Sequence, residues 1–308
     1  MTTHPYSTPH RARPVRAEAI EAIEAIELHT RDGLALAASR FRPIGAPRAL
    51  LVIAPAIAVA QRFYRRAAIA AQTEGFDTIT FDYRNMGRNA PASLRGASGD
   101  LFTWAEQDLA AAVDHAADHA DAHGLPTFLL AHSFGGQALG LLPNHHRLHA
   151  CYAFGTGAGW SGWMPLAERW RVRMLWHVLG PLLTASHGYL GWKALGMGED
   201  LPLSVYRQWK SWCRHPYYCF DEPAVGTMLR ERFARVRMPI AAATAVDDRW
   251  SPPRSCDAFM RAYTGSAVER IDLHPQMLGA PIGHMGYFRP HANPLWRTAM
   301  TWLLAHSG

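Results

Sequence analysis

Pro126-Thr127-Phe128-Leu129-Leu130-Ala131-His132-Ser133-Phe134-Gly135-Gly136-Gln137 decides how the rest of this chain is read. Residues 127–130 read as a short buried strand. The chain then turns tightly at Ser133 and enters an apolar helical run over 137–142. A serine at such a turn stands above the carboxyl end of a sheet, at the start of a helix. The small residues two before and two after it, Ala131 and Gly135, let strand and helix approach closely. This strand–serine–helix context is what an exposed nucleophilic serine requires. The usual pattern is Gly-x-Ser-x-Gly, and Ala131 is a mild departure because alanine still permits the packing. A small-x-Ser-x-Gly match also arises by chance, so an ordinary turn serine is the alternative until the flanking chain is read.

Upstream, residues 26–30 and 34–41 read as two strands joined by a turn at Arg31-Asp32-Gly33. The period of three in residues 18–27 fits neither strand nor helix, and its first part reads as a frayed helix or tail. Residues 48–53 are a strand with the continuous apolar character of a parallel sheet. The small-residue loop 54–60 follows it and leads to a helix over 61–72. Residues 77–82 form the next strand, and 104–123 an amphipathic helix. His115, His119 and His123 fall on one face of that helix, where an exposed polar face is the favoured reading over a metal stripe. Downstream, residues 149–154, 238–245 and 268–273 read as strands, 253–264 as a helix and 294–306 as a final helix. Strands alternating with helices specify an α/β fold with a parallel sheet.

The alternation breaks over residues 156–222. Seven of the eleven tryptophans lie here: Trp160, Trp163, Trp170, Trp176, Trp192, Trp209 and Trp212. The expected division is a loose tail over 1–17, a core over 18–155 and 223–308, and an inserted helical cap over 156–222. Pockets are lined mainly by apolar and aromatic side chains. Ile57, Trp160, Trp163, Trp209 and Trp250 are therefore expected to line a substrate pocket.

A serine hydroxyl is a poor nucleophile near neutral pH and needs a base. Histidine is the natural one, and a buried carboxylate then fixes its tautomer and stabilises the imidazolium. Ser133, Asp248 and His284 occur in that order, each in a loop after a predicted strand, and such loops gather at one edge of a parallel sheet. Asp247 competes with Asp248. The spacing Asp248-x-x-x-Pro252, with the proline opening a helix, favours Asp248. His132 reads as a packing residue, because neighbours on a tight turn point apart. The backbone N–H of Phe134, after the nucleophile, and that of Ala56, with Ile57 as its neighbour, are the expected oxyanion donors.

Composition narrows the class. The chain has 308 residues, 49% hydrophobic and 18% charged, so it can bury a sizeable core. The formal charge is +6, but Arg11, Arg13 and Arg16 supply three of those charges, there are only two lysines, and no basic run marks a nucleic-acid face. No apolar stretch approaches the roughly 20 residues needed to span a bilayer. Cys151, Cys213, Cys219 and Cys256 show no disulfide framework, and Cys213-x-His215-x-x-x-Cys219 lacks a second metal-ligand pair. Free thiols fit a cytoplasmic location. No metal is expected. Oligomeric state is left open, a homodimer being compatible with the sequence.

From about residue 24 to its end the chain resembles the α/β hydrolases, and more narrowly a bacterial group described as esterases or serine-aminopeptidase-like proteins. The resemblance rests on Gln61-Arg-Phe-Tyr-Arg65, Phe81-Asp-Tyr-Arg84, His132-Ser-Phe-Gly-Gly-Gln137, Trp209-x-x-Trp-Cys213, Asp247-Asp248 and Gly283-His-Met-Gly-Tyr-Phe288. It implies the α/β-hydrolase fold, a Ser133–Asp248–His284 triad and no cofactor. Departures are Ala131 for glycine, Ala54-Pro55 where many relatives have His-Gly, and Asn85 where many have glycine. The expected activity is hydrolysis of a carboxylic ester or thioester with an apolar moiety. An acyltransferase or aminopeptidase with the same triad, or a non-catalytic small-molecule binder, are the alternatives.

Overall fold

A computed structural model describes residues 23–307. The expected tail over residues 1–17, and the start of the glutamate–alanine–isoleucine repeat, lie outside them. Eight strands form one sheet: β1 Ile23–His29, β2 Ala35–Phe41, β3 Ala49–Ala54, β4 Phe76–Phe81, β5 Thr127–His132, β6 Ala150–Phe154, β7 Ile240–Ala245 and β8 Val268–Leu273. Their order is β1-β2-β4-β3-β5-β6-β7-β8. β1 and β2 pair antiparallel, as do β2 and β4, while the pairs from β4 to β8 are parallel.

The central strands are buried on both faces because helices cover both. In β3, Ala49, Leu51 and Ile53 join one core layer, while Leu50, Val52 and Ala54 join the other. In β5 the same alternation sends Phe128 and Leu130 one way, and Leu129 and Ala131 the other. The helices Arg65–Thr73 and Asn293–Leu304 pack on the first face. On the second lie the helices Ala110–Asp121 and Pro253–Met260. A fully buried Leu or Phe contributes about 1.5–3 kcal/mol, so these two layers are the main source of stability.

Several boundaries differ from the sequence reading; the helix expected over 253–264, for example, ends at Met260. β1 runs back to Ile23, the first described residue, past the expected start at residue 26, because pairing with β2 carries the ladder to Ile23 opposite Phe41. The helix over 61–72 opens as a 3₁₀ turn at Gln61–Tyr64. The expected helix over 104–123 contains a π-helical stretch, Trp104–Leu109, before Ala110–Asp121.

Residues 156–222 interrupt the alternation between β6 and β7. They hold the helices Leu166–Met174, Gly180–His187 and Leu203–Trp212, with Leu190 and Leu201 bridged as an isolated antiparallel pair. Their aromatics pack on one another: the Trp209 ring is 4.9 Å from Trp176 and 5.6 Å from Trp192, edge to face in both cases. Among the described residues, no helix is long and apolar enough to cross a membrane.

Candidate active site

Ser133 sits between β5 and the short helix Phe134–Gln137 with φ +50° and ψ −108°. A non-glycine residue in the left-handed half of φ space is strained and needs surroundings that enforce it. Here the Ser133 N–H donates to the Phe154 carbonyl (2.9 Å), and Thr156 Oγ1 donates to the Ser133 carbonyl (2.9 Å). Gly135 lies so close to β3 that a Cβ there would stand 2.3 Å from the Ala54 carbonyl oxygen. The sharp turn therefore depends on glycine at 135, whereas Ala131 is accommodated at 0% exposure.

Ser133 Oγ is 3.1 Å from His284 Nε2. His284 Nδ1 is 2.9 Å from Asp248 Oδ2. A carboxylate only accepts, so Nδ1 carries the proton and Nε2 presents its lone pair to the serine hydroxyl. Asp248 is buried, and every side of its carboxylate is engaged. Oδ1 accepts the backbone N–H groups of Trp250 (2.9 Å) and Ser251 (2.8 Å), and Oδ2 also accepts the Tyr287 hydroxyl (2.9 Å). Tyr287 Oη in turn accepts the Ala245 N–H at 2.8 Å. Burial, and next the neighbouring Asp248 charge, push the Tyr287 phenol well above its ordinary pKa, so it stays a donor.

Asp247 has a different task. Its two oxygens accept the backbone N–H groups of Ile282 (3.0 Å) and Gly283 (3.1 Å). It clamps the loop that carries His284 and leaves the imidazole to Asp248.

Sequence reasoning missed a second buried chain of hydrogen bonds. His132 Nε2 lies 2.9 Å from the His284 carbonyl oxygen, and a carbonyl can only accept. Nδ1 of His132 is then the acceptor, and its partner is the Tyr64 hydroxyl at 2.9 Å. Tyr64 Oη itself accepts the Ala56 N–H at 2.9 Å. The loop after β3, the strand under the serine and the His284 backbone are thereby tied together. Burial, with the nearby His284, lowers the His132 pKa to about 3, so its ring is neutral. No motif announces this chain; Tyr64 and His132 both stand in stretches singled out above, but only the fold shows them touching.

The same contact corrects one expectation. The Ala56 N–H is already donated to Tyr64, so it is not available to an oxyanion. The N–H groups of Ile57 and Phe134 have no acceptor among the described residues. In the same loop Ala58 adopts φ +61°, and its carbonyl accepts the Glu199 N–H at 2.8 Å.

Ser133 and His284 open into a cavity of about 1400 Å³ between the sheet's carboxyl edge and the 156–222 segment. Ile57, Trp209 and Trp250 line it. Trp160 and Trp163 are not among its lining residues. They pack edge to face on each other at 5.4 Å, and Trp163 Nε1 donates to the Pro216 carbonyl, which holds that pair in the protein's own packing. Trp192, Leu175 and Met197 line the cavity in their place. The aromatic wall reaches the reactive groups: the Trp250 ring is 5.8 Å from Trp209 and 6.2 Å from His284. Among the described residues, no group of three or more His, Cys, Asp or Glu side chains is arranged to hold a metal. The four cysteines are free and buried.

An eight-stranded, mostly parallel sheet with a serine on a strained turn after β5, and His and Asp loops after later strands, is a known architecture. The chain has the α/β-hydrolase fold. Residues 45–185 match the family model described as serine aminopeptidase, S33. A soluble variant of monoglyceride lipase from Saccharomyces cerevisiae superposes with a TM-score of 0.65 at 14% identity, covering 96% of this chain and 98% of that one. The esterase domain of a Rhodothermus marinus protein gives 0.57 at 17% identity over 94% and 100% of the two chains. A thioesterase domain from the curacin biosynthetic pathway gives 0.54 at 11% identity over 92% and 100%. No curated protein matches the sequence.

Proposed function

We propose that the protein is a serine hydrolase that cleaves a carboxylic ester or thioester with an apolar moiety. Ser133 Oγ attacks the carbonyl carbon while His284 Nε2 takes its proton. Asp248 holds the His284 tautomer and stabilises the imidazolium. The Ile57 and Phe134 N–H groups receive the oxyanion, acting as fixed dipoles that need no reorganisation during the reaction. His284 then returns the proton to the departing alcohol or thiol, leaving an acyl-enzyme. Water, activated by the same histidine, attacks the acyl carbon and releases the acid. Residues 156–222 serve as a cap, and the Trp209–Trp250 wall takes the apolar part of the substrate.

The observation that carries this reading is the continuous contact Ser133 Oγ–His284–Asp248, at 3.1 and 2.9 Å, opening into an aromatic-walled cavity. An aminopeptidase would need a free carboxylate to receive the substrate's amine. Glu168 and Glu199 do reach the cavity wall, but each is already paired, Glu168 with Arg171, and Glu199 with Arg62 and Lys193. That pairing favours the ester reading. Four buried free thiols accord with a reducing, cytoplasmic setting.

The test is turnover of p-nitrophenyl esters of graded acyl length. Ser133→Ala is expected to lower kcat by at least roughly 10³-fold, since removal of the nucleophile leaves only binding and oxyanion contributions. Full turnover by that variant would overturn the reading.

A further inference from the structure

The acids and bases around the cavity are not arranged alike. Glu199 is buried, its side chain only 5% exposed, and it lies beneath two cations whose side chains are largely in solvent: Arg62 at 71% and Lys193 at 68%. Arg62 Nη2 contacts Glu199 Oε1, and Lys193 Nζ is 3.7 Å from Oε2. One carboxylate against two cations leaves a positive charge uncompensated. Asp200, the nearest further acid in sequence, accepts the Lys193 backbone N–H at 2.7 Å. Arg289 adds a second positive charge to this wall. Its guanidinium lies over the Phe63 ring at 5.6 Å, and no acid pairs with it among the described residues.

These three cations belong to one region of the cavity. Arg62 and Phe63 follow the loop that carries Ile57, and the Glu199 N–H is bonded to Ala58 of that same loop. Arg289 comes from the loop that carries His284. The remaining charges do not cancel the excess. Glu168 is matched by Arg171, and Asp247, which accepts two backbone N–H groups but keeps its charge, is offset by the exposed Arg249 on the same wall. One buried carboxylate, Glu199, thus holds two largely solvent-exposed cations at the cavity wall, and Arg289 stands beside them over Phe63. A concave wall with an excess of one sign concentrates ligands of the opposite sign.

We infer that the cavity takes an amphiphile: an apolar chain against the Trp209–Trp250 wall, and an anionic group, phosphate or carboxylate, held by Arg62, Lys193 and Arg289. This rests on the hydrolase reading for its chemistry and narrows the substrate class to anionic esters or thioesters. The binding itself can be tested without turnover.

The test uses the full-length Ser133→Ala protein, titrated at low and high salt and followed by tryptophan fluorescence. The probes are decyl phosphate, decanoate and the neutral decanol, all below their aggregation concentrations. At least one anionic probe is expected to bind tenfold or more tightly than decanol, with affinity falling as salt rises. Preference for decyl phosphate over decanoate would assign the site to a phosphate, and the reverse to a carboxylate. In the Ser133→Ala background, Lys193→Glu and Arg289→Glu are each expected to cut the anion-to-neutral ratio at least threefold. Equal binding of all three probes, or no binding by any, overturns the inference whatever the outcome with p-nitrophenyl esters. Loss of ester turnover in the wild type with the anion preference intact would instead sink the hydrolase reading alone.

Discussion

Asp247 and Asp248 are neighbours that hold different parts of one loop, and substitution separates them. Asp248→Asn keeps the shape but presents a donor to His284 Nδ1 or forces the wrong tautomer. It is expected to lower kcat by about 10³–10⁴-fold. Asp247→Asn weakens only the clamp on Ile282 and Gly283. A smaller loss in kcat, roughly tenfold, and about 1–3 kcal/mol of stability are expected. Steady-state kinetics with denaturant unfolding would distinguish the two. Tyr64→Phe strips the acceptor from the buried Ala56 N–H and the donor from His132 Nδ1. Stability should fall by about 1–3 kcal/mol per group left unpaired, and kcat should fall more than KM rises, because the groups displaced align the reactive loops.

His132 also makes stability depend on pH. Its ring is neutral in the fold, with a pKa lowered to about 3 chiefly by burial. The unfolded chain takes up a proton near the ordinary value of about 6.5. The stability that goes with this difference is therefore intact above about pH 6.5 and is lost as pH falls towards 3, by up to about 1.4 kcal/mol per pH unit. Nitrogen NMR of the imidazole should show His132 neutral at pH 5, with its proton on Nε2 and none on Nδ1, where exposed histidines are charged. Ile57 rather than Ala56 is the proposed oxyanion donor for an equally local reason. Spacing narrowed it to two adjacent residues. Only the Tyr64 hydroxyl, eight residues further on, decides which N–H is left free.

At the scale of elements, the turn at Ser133 was legible because it needs residues of particular size. A Cβ at Gly135 would stand 2.3 Å from Ala54 O, and one at Gly136 2.2 Å from Thr156 Oγ1. Gly135→Ala is expected to cost about 1–3 kcal/mol through overpacking, and to lower kcat by shifting Ser133 from His284. Thermal unfolding and ester turnover would read both. Asn85, where relatives often have glycine, adopts φ +64°, a conformation that asparagine tolerates better than most side chains. The tryptophans were less legible. All seven in the 156–222 segment look alike as sequence, and periodicity does not say which helix face meets the cavity. Of these, Trp192 and Trp209 reach it, whereas Trp160 and Trp163 satisfy each other.

For the whole molecule, the α/β class followed from apolar strand runs alternating with amphipathic helices, and every core strand lies close to its expected place. The order β1-β2-β4-β3-β5-β6-β7-β8 was not legible, because crossover connections leave no local trace. That order nonetheless makes the site: it sets β3, β5, β6 and β7 side by side, so the loops bearing Ile57, Ser133 and Asp248 emerge at one edge. The cation excess on the cavity wall was equally hidden. The overall charge of +6 says nothing of where the acids are buried.

The central claim is that Ser133 is an activated nucleophile. Labelling of wild type and Ser133→Ala with a fluorophosphonate, followed by intact mass and peptide mapping, tests it most directly. The account predicts one adduct per chain, on Ser133, absent from the variant and sharply slowed in His284→Ala. A folded wild type that takes no adduct, or one that is labelled equally after Ser133→Ala, would contradict it.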